Sequence, residues 1–150
     1  MSLLSQSTIA KKVSFSGVGI HTGRYVHVNI LPASPNSGII FKRTDLNKNN
    51  IVIPNFANVS EATLCTTVSN QFGVKVSTIE HLMAAFLGLG VDNAIVELNA
   101  QEVPILDGSA KDFVKILREA GMKTSDVPIK LIKINNRIEV IDGNKSISLD

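Results

Sequence analysis

Glu80 and His81 stand side by side in a chain that has only three histidines and a single cysteine among its 150 residues. A carboxylate next to an imidazole can relay a proton, or the imidazole can hold a metal ion while the carboxylate acts as a base. The pair lies in Val76-Ser77-Thr78-Ile79-Glu80-His81-Leu82-Met83-Ala84-Ala85-Phe86-Leu87-Gly88-Leu89-Gly90. Ser77 and Glu80 have the S-x-x-E spacing of a capping box, so Glu80 is equally at home as a helix cap with no part in chemistry. The same spacing predicts a helix over Thr78 to Leu87, with Gly88 and Gly90 as stops. Ile79, Leu82, Met83, Phe86 and Leu87 recur at i, i+3, i+4, i+7 and i+8 and form the expected core stripe. His81 then faces away from that stripe, beside Ala84, Ala85 and Gly88, where small neighbours admit a metal, a substrate or a partner surface. The first helical turn adds free N–H groups and the positive end of the helix dipole, which favour an anionic ligand. Spacing alone leaves capping and chemistry as alternatives.

Other reactive residues are scattered. His21 lies in Gly17-Val18-Gly19-Ile20-His21-Thr22-Gly23, where three glycines permit a close or unusual backbone path, so it is a site candidate. His27 belongs to the alternating stretch Tyr25 to Ile30, opposite Val26, Val28 and Ile30, and reads as a solvent-facing strand residue. Cys65 shares a strand face with Thr67 and reads first as a small core residue. Asp107 precedes Ser109, whose spacing to Asp112 is a second capping pattern; Asp107 by itself reads as a turn residue.

The elements that must position these residues follow from periodicity. The stretch Met1 to Lys12 is polar and expected to fray at its start. Val13-Ser14-Phe15 reads as a strand leading into the glycine-rich turn. Tyr25 to Ile30 and Ile39 to Arg43 read as a hairpin about Pro32 to Gly38, and Ile51-Val52-Ile53 as a brief strand stopped by Pro54. Thr63 to Ser69 and Val74 to Val76 form a second hairpin that delivers the chain to the helix, and Ala94 to Leu98 is a largely buried strand. Phe113, Ile116, Leu117 and Ala120 give a second helix, Ala110 to Ala120, its buried stripe, with Gly121 closing it. Two one-sided helices among largely antiparallel strands predict an α+β fold, a two-layer sandwich. Residues 1–124 form the first domain. Lys123 to Pro128 reads as a linker, so that 125–150 holds a linker and the incomplete start of a second domain, with strands Ile129 to Ile134, Arg137 to Ile141 and Ser146 to Leu149.

Composition excludes several classes. With 44% hydrophobic and 19% charged residues the chain is globular and not disordered. The lone Cys65 precludes an internal disulfide and a multi-cysteine zinc site, in keeping with a reducing cytoplasm. There is no signal-like apolar segment and no apolar run long enough to span a bilayer, which predicts a soluble, unexported protein. A net charge of +2, dispersed basic residues and the absence of Trp argue against nucleic-acid binding.

Gly17-Val18-Gly19-Ile20-His21-Thr22-Gly23, Thr63-Leu64-Cys65-Thr66, Ser77-Thr78-Ile79-Glu80-His81-Leu82 and Pro104-Ile105-Leu106-Asp107-Gly108-Ser109-Ala110 together resemble one family. It is the UDP-3-O-acyl-N-acetylglucosamine deacetylases, zinc amidases of lipid A biosynthesis, and the likeness runs from about Ser7 to the end. The resemblance implies two α+β domains facing each other around zinc, of which this sequence covers the first and the opening strands of the second. It implies His81 as the zinc ligand of the first domain and Glu80 as the general base that deprotonates the attacking water. His21 and Asp107 match positions at or near the active site. Cys65 matches one close to the metal that can act as an extra, inhibitory ligand, and Ile20 and Leu64 match the entrance of the acyl-chain passage. The implied substrate is a UDP-linked acylated amino sugar. With one ligand of three, this stretch alone is expected to hold zinc weakly or not at all and to be inactive without its C-terminal domain. Alternatives are a non-catalytic α+β interaction module, or another metal-dependent amidase on the same scaffold.

Overall fold

The computed structural model describes residues 4–150. The expected fraying of the chain start falls in part on residues 1–3, outside the described residues. From Ser5 the chain is already strand, because β1 (Ser5–Ile9) pairs antiparallel with β10 (Met122–Pro128) and buries Ile9 completely. The expected linker Lys123 to Pro128 is therefore the partner strand of β1. Its polar character suits a pair in which only some side chains face the core.

The main sheet has five strands in the order β2 (Val13–Val18), β3 (Tyr25–Pro32), β9 (Ala94–Leu98), β4 (Ile39–Arg43) and β5 (Ile51–Val52). The β3–β4 hairpin expected from the turn at Pro32 to Gly38 does not form. Strand β9 lies between the two, antiparallel to β3 and parallel to β4. Burial explains the insertion: Ala94, Val96 and Leu98 are all fully buried, and a central position covers the near-continuous apolar run that an edge would expose. Register carries the core across the sheet. Ile30, Val96, Phe41 and Val52 are paired in one row and all are buried, as are Val28 and Leu98 in the next. The opposite face is mixed, with Lys42 paired to Glu97 at 3.0 Å and Ser14 bonded to Asn29 at 2.8 Å beside a half-buried row of Leu31, Ile95 and Ile40. His27 lies on this exposed face, its ring 2.7 Å from Ser16 Oγ.

Two helices, α1 (Glu80–Leu89) and α2 (Lys111–Ala120), pack against each other and share one core cluster with the apolar face of the sheet. The result is the expected α+β, two-layer arrangement. In α2, Phe113, Leu117 and Ala120 are buried, with Phe113 set edge-on to Phe15 of β2 at 5.5 Å. In α1 the buried stripe is rotated from the expected one. Ala85 is buried and Leu87 is 84% exposed, so the core face is Leu82, Ala85 and Phe86, with Leu89 partly buried. The helix begins at Glu80, two residues later than the capping pattern predicts, and runs through Gly88 to a left-handed cap at Gly90, which brings Leu89 into its last turn.

A small sheet of β6 (Val59–Glu61), β7 (Thr67–Ser69) and β8 (Lys75–Val76) is inserted between β5 and α1, and a turn of 3₁₀ helix at Phe56–Asn58 leads into it. The strand expected over Thr63 to Ser69 is confined to its last three residues. Arg43, buried at the end of β4, clamps this insert by donating to Asp45 and to the Lys75 carbonyl at 2.9 Å. Beyond β10, the strand expected over Ile129 to Ile134 is not formed, and the chain enters a hairpin of β11 (Ile138–Asp142) and β12 (Lys145–Leu149). Among the described residues no helix is long and apolar enough to cross a membrane.

The rotated stripe gives a direct test. Phe86→Ala should cost about 3–5 kcal/mol, because it opens a cavity in the shared core. Leu87→Ala should stay within about 0.5 kcal/mol. Urea unfolding midpoints of the two variants distinguish this stripe from one that includes Leu87.

Candidate active site

The capping box at Ser77 does not form. Ser77 is held as an extended residue beside the segment after β9: its N–H donates to the Gln101 carbonyl at 2.8 Å and its carbonyl accepts from the Val103 N–H at 3.0 Å. The Ser77 hydroxyl turns to Gln101 as well, at 3.3 Å. Thr78 then takes a left-handed backbone, φ 56°, which is rare for a β-branched residue, and the helix starts two residues on without a side-chain cap. The second capping pattern fails similarly. Ser109 accepts from the Lys111 N–H at 3.1 Å while donating to Asp107, and Asp112 is not part of the cap.

Freed from capping, Glu80 turns outward from its own helix. Its Oε2 accepts from the Thr66 N–H at 3.0 Å, which fixes one carboxylate oxygen, and the residue lines a depression of about 290 Å³ with Phe56, Thr66 and Met83. His81, next in the chain, is half-buried. The residues after β6 alternate in direction: Cys65 and Thr67 line a groove of about 280 Å³, while Thr66 and Val68 line the Glu80 depression. That groove brings His21, Leu64 and Cys65 together, with Thr22, Ser77 and Gln101. Cys65 is half-buried with its Sγ 3.6 Å from Thr67 Oγ1, so it lines a surface and is not the core residue its type suggests. Ile20 is exposed in the same turn as His21. Asp107 is not among the groove-lining residues. It is exposed ahead of α2, where the N–H and then the hydroxyl of Ser109, each 3.0 Å away, hold its carboxyl below the usual carboxylate range.

Glu102 is the residue that sequence reasoning missed. Its side chain is completely buried, yet each carboxylate oxygen accepts two hydrogen bonds. Oε1 takes the His21 N–H at 3.0 Å and the Thr78 hydroxyl at 2.9 Å; Oε2 takes the Thr22 N–H at 2.8 Å and the Thr22 hydroxyl at 2.6 Å. Burial, the largest single influence, would raise its pKa. The Thr22 hydroxyl, the two backbone N–H groups and the Thr78 hydroxyl together outweigh it and hold the carboxyl below its ordinary value. Nothing local marks Glu102, since its partners lie 24 and about 80 positions away.

Among the described residues no three His, Cys, Asp or Glu side chains are close enough to hold a metal ion. These residues alone therefore do not fit a complete zinc site; His81 is a single imidazole donor beside a carboxylate. Fold and geometry make the chain an α+β domain with adjacent carboxylate and imidazole side chains at the start of α1. Residues 6–150 match the family described as LpxC: UDP-3-O-acyl N-acetylglycosamine deacetylase, and the chain belongs to that family. Relatives bearing the name UDP-3-O-acyl-N-acetylglucosamine deacetylase include those of Shewanella sp. (strain ANA-3), 45% identical over 143 residues, and Shewanella baltica (strain OS155), 46% identical over 143 residues. The Shewanella denitrificans protein is 49% identical over 144 residues. Each alignment covers 95% of this chain and 47% of the relative, so the chain spans about half the length of the curated relatives it matches.

Two outcomes follow from the site's bonding. Ser77→Ala should change unfolding free energy by less than about 0.5 kcal/mol, because no cap is lost. Glu102 has a depressed folded pKa, so its stabilising contribution is present above its ordinary value of 4.5 and is lost as pH falls through the lower folded value. Asp45 and Asp107 also have lowered pKa values, Asp45 chiefly through its Arg43 bond, so they too contribute to the acid dependence of stability. The stability gap between wild type and Glu102→Gln isolates Glu102: it should be widest near neutrality and narrow below pH 4.5, as read by urea unfolding at stepped pH.

Proposed function

We propose that the whole protein hydrolyses the acetamide of a UDP-linked, 3-O-acylated N-acetylglucosamine in lipid A biosynthesis, and that residues 1–150 form the half carrying the general base. The observation that supports this most directly is the 45–49% identity, over 95% of the chain, to relatives named for that deacetylation. Zinc is the proposed cofactor, with His81 giving one ligand and the others coming from a second domain. When bound, the ion acts as a Lewis acid and brings the pKa of water to about 7.

Glu80 is the proton acceptor in this reading. The Thr66 N–H holds one carboxylate oxygen, so rotation of the side chain is restrained and the other oxygen has a defined direction in which to receive a proton. His21 and Asp107 belong at or near the active site in this reading. Ile20 and Leu64, both exposed and apolar, suit the mouth of an acyl-chain passage. Cys65 stands as an additional soft ligand that competes when zinc is in excess. The reaction is assigned to the cytoplasm, in keeping with a single unpaired thiol and no membrane-crossing helix among the described residues. Residues 1–150 alone are proposed to be inactive, since they supply one donor of an incomplete ligand set.

In the full-length protein, His81→Ala should lower zinc content and turnover together. Glu80→Ala should keep zinc while lowering turnover by roughly 10²-fold or more, because only the base is removed. Metal analysis and acetate release on the two variants check this, and near-normal turnover of Glu80→Ala would remove Glu80 from the chemistry.

A further inference from the structure

We propose that Glu102 is a positioning residue, whose carboxylate couples the His21–Thr22 turn on the groove wall to the left-handed Thr78 that sets the start of α1. Through those contacts it fixes where Glu80 and His81 stand relative to the groove. The proposal rests on the assignment of Glu80 and His81 to the chemistry made above.

Three observations carry it. The first is the acceptor count. Four donors converge on two oxygens, two on each, and only an ionised carboxylate offers acceptors on both atoms. A glutamine would turn an NH₂ group toward at least one N–H or hydroxyl donor, so the bonding requires the acid itself. The second is the strained backbone at Thr78. A β-branched residue at φ 56° persists only where its surroundings over-determine it, and here its hydroxyl is bonded to Glu102 Oε1 while Ser77 just before it is pinned to Gln101 and Val103. Relaxing Thr78 would change the direction in which α1 leaves, and with it Glu80 in the first turn. The third is the tightness of the seat. A Cβ added at Gly19 would collide with Glu102 Oε2 and with Thr22 Oγ1, so the turn closes directly onto the carboxylate. The groove wall and the helix start thus share one rigid junction, although they lie more than fifty residues apart in sequence.

A scaffold carboxylate would stabilise both segments without transmitting anything between them. Coupling predicts effects that cross Glu102. In the full-length protein, Thr22→Val removes the hydroxyl bond on one side and Thr78→Val removes it on the other. Residue-resolved amide hydrogen exchange should then show several-fold faster exchange of the Thr66 and Met83 N–H groups in Thr22→Val, since these report the Glu80 bond and the first helical bond. Thr78→Val should speed exchange of the His21 and Thr22 N–H groups. Glu102→Gln, assayed well below its unfolding temperature, should lower kcat at least tenfold with KM changed less than threefold and zinc content unchanged. Exchange changes confined to the mutated side, or kcat of folded Glu102→Gln within twofold of wild type, would overturn the proposal. The exchange readout needs no substrate. If the full-length wild type failed to release acetate while exchange changes crossed Glu102, the proposed reaction would fall and the coupling would stand.

Discussion

A single buried carboxylate holds together the turn and the helix start that flank the groove of His21, Leu64 and Cys65. Glu102 sits with no exposed surface among Thr22, Thr78 and the His21 backbone, and its contacts reach two distant segments of the chain, the His21–Thr22 turn and Thr78. Placing a charge in such surroundings without partners would be costly. Four short hydrogen bonds meet that cost, and because they are directional they also dictate where the partners lie. The segment Gln101 to Ile105 behaves as an internal rail in consequence. Ser77 is bonded to its start, Glu102 holds the turn and Thr78, and Ile105 donates to Val18 at its far end.

The remaining structure supplies a base on which that rail can be held. Strand β9 is the central strand of the main sheet, and the rail continues directly from it through Asn99 and Ala100. The buried row Ile30, Val96, Phe41 and Val52 fixes β9 between its two neighbours, β3 and β4, with β5 next beyond β4, so its C-terminal extension starts from a rigid point. From the other layer, Phe86 and Phe113 anchor the two helices in the same core cluster. Arg43 then ties the inserted sheet to β4, which places the 65–68 stretch between the groove and the Glu80 depression. Side chains of alternating direction there serve both sides: Cys65 and Thr67 toward one, the Thr66 N–H and Val68 toward the other.

Membership of the deacetylase family gives this geometry its meaning. The identity to Shewanella relatives covers almost the whole chain, and the acid–imidazole pair stands at the head of α1. The S-x-x-E pattern thus has two possible uses, and in this fold its acid is spent on neither capping nor packing. Glu80 is instead oriented by a backbone N–H from a different element, as a proton acceptor with one defined open side would be.

Much of the fold was legible in the sequence, because it depends on local periodicity. The alternation in Tyr25 to Ile30, the apolar run Ala94 to Leu98 and the stripe Phe113, Leu117 and Ala120 each encode a buried face that any tertiary arrangement must cover. The resemblance of four short motifs pointed to the family, and the pairing of a glycine-rich turn with Glu80-His81 indicated where chemistry could reside. Strand order was decided only by the tertiary structure. Nothing near Pro32 to Gly38 says that β9, some fifty residues later, will separate β3 from β4. The helix start was decided there too: Ser77 has the composition of a cap, but its backbone is committed to Gln101 and Val103, and the left-handed Thr78 is bonded to a carboxylate 24 positions away. Glu102 itself was invisible for the same reason. A charged residue beside an apolar run reads as an exposed edge, and its burial becomes favourable only when donors from distant segments arrive together, a condition that no local pattern can express.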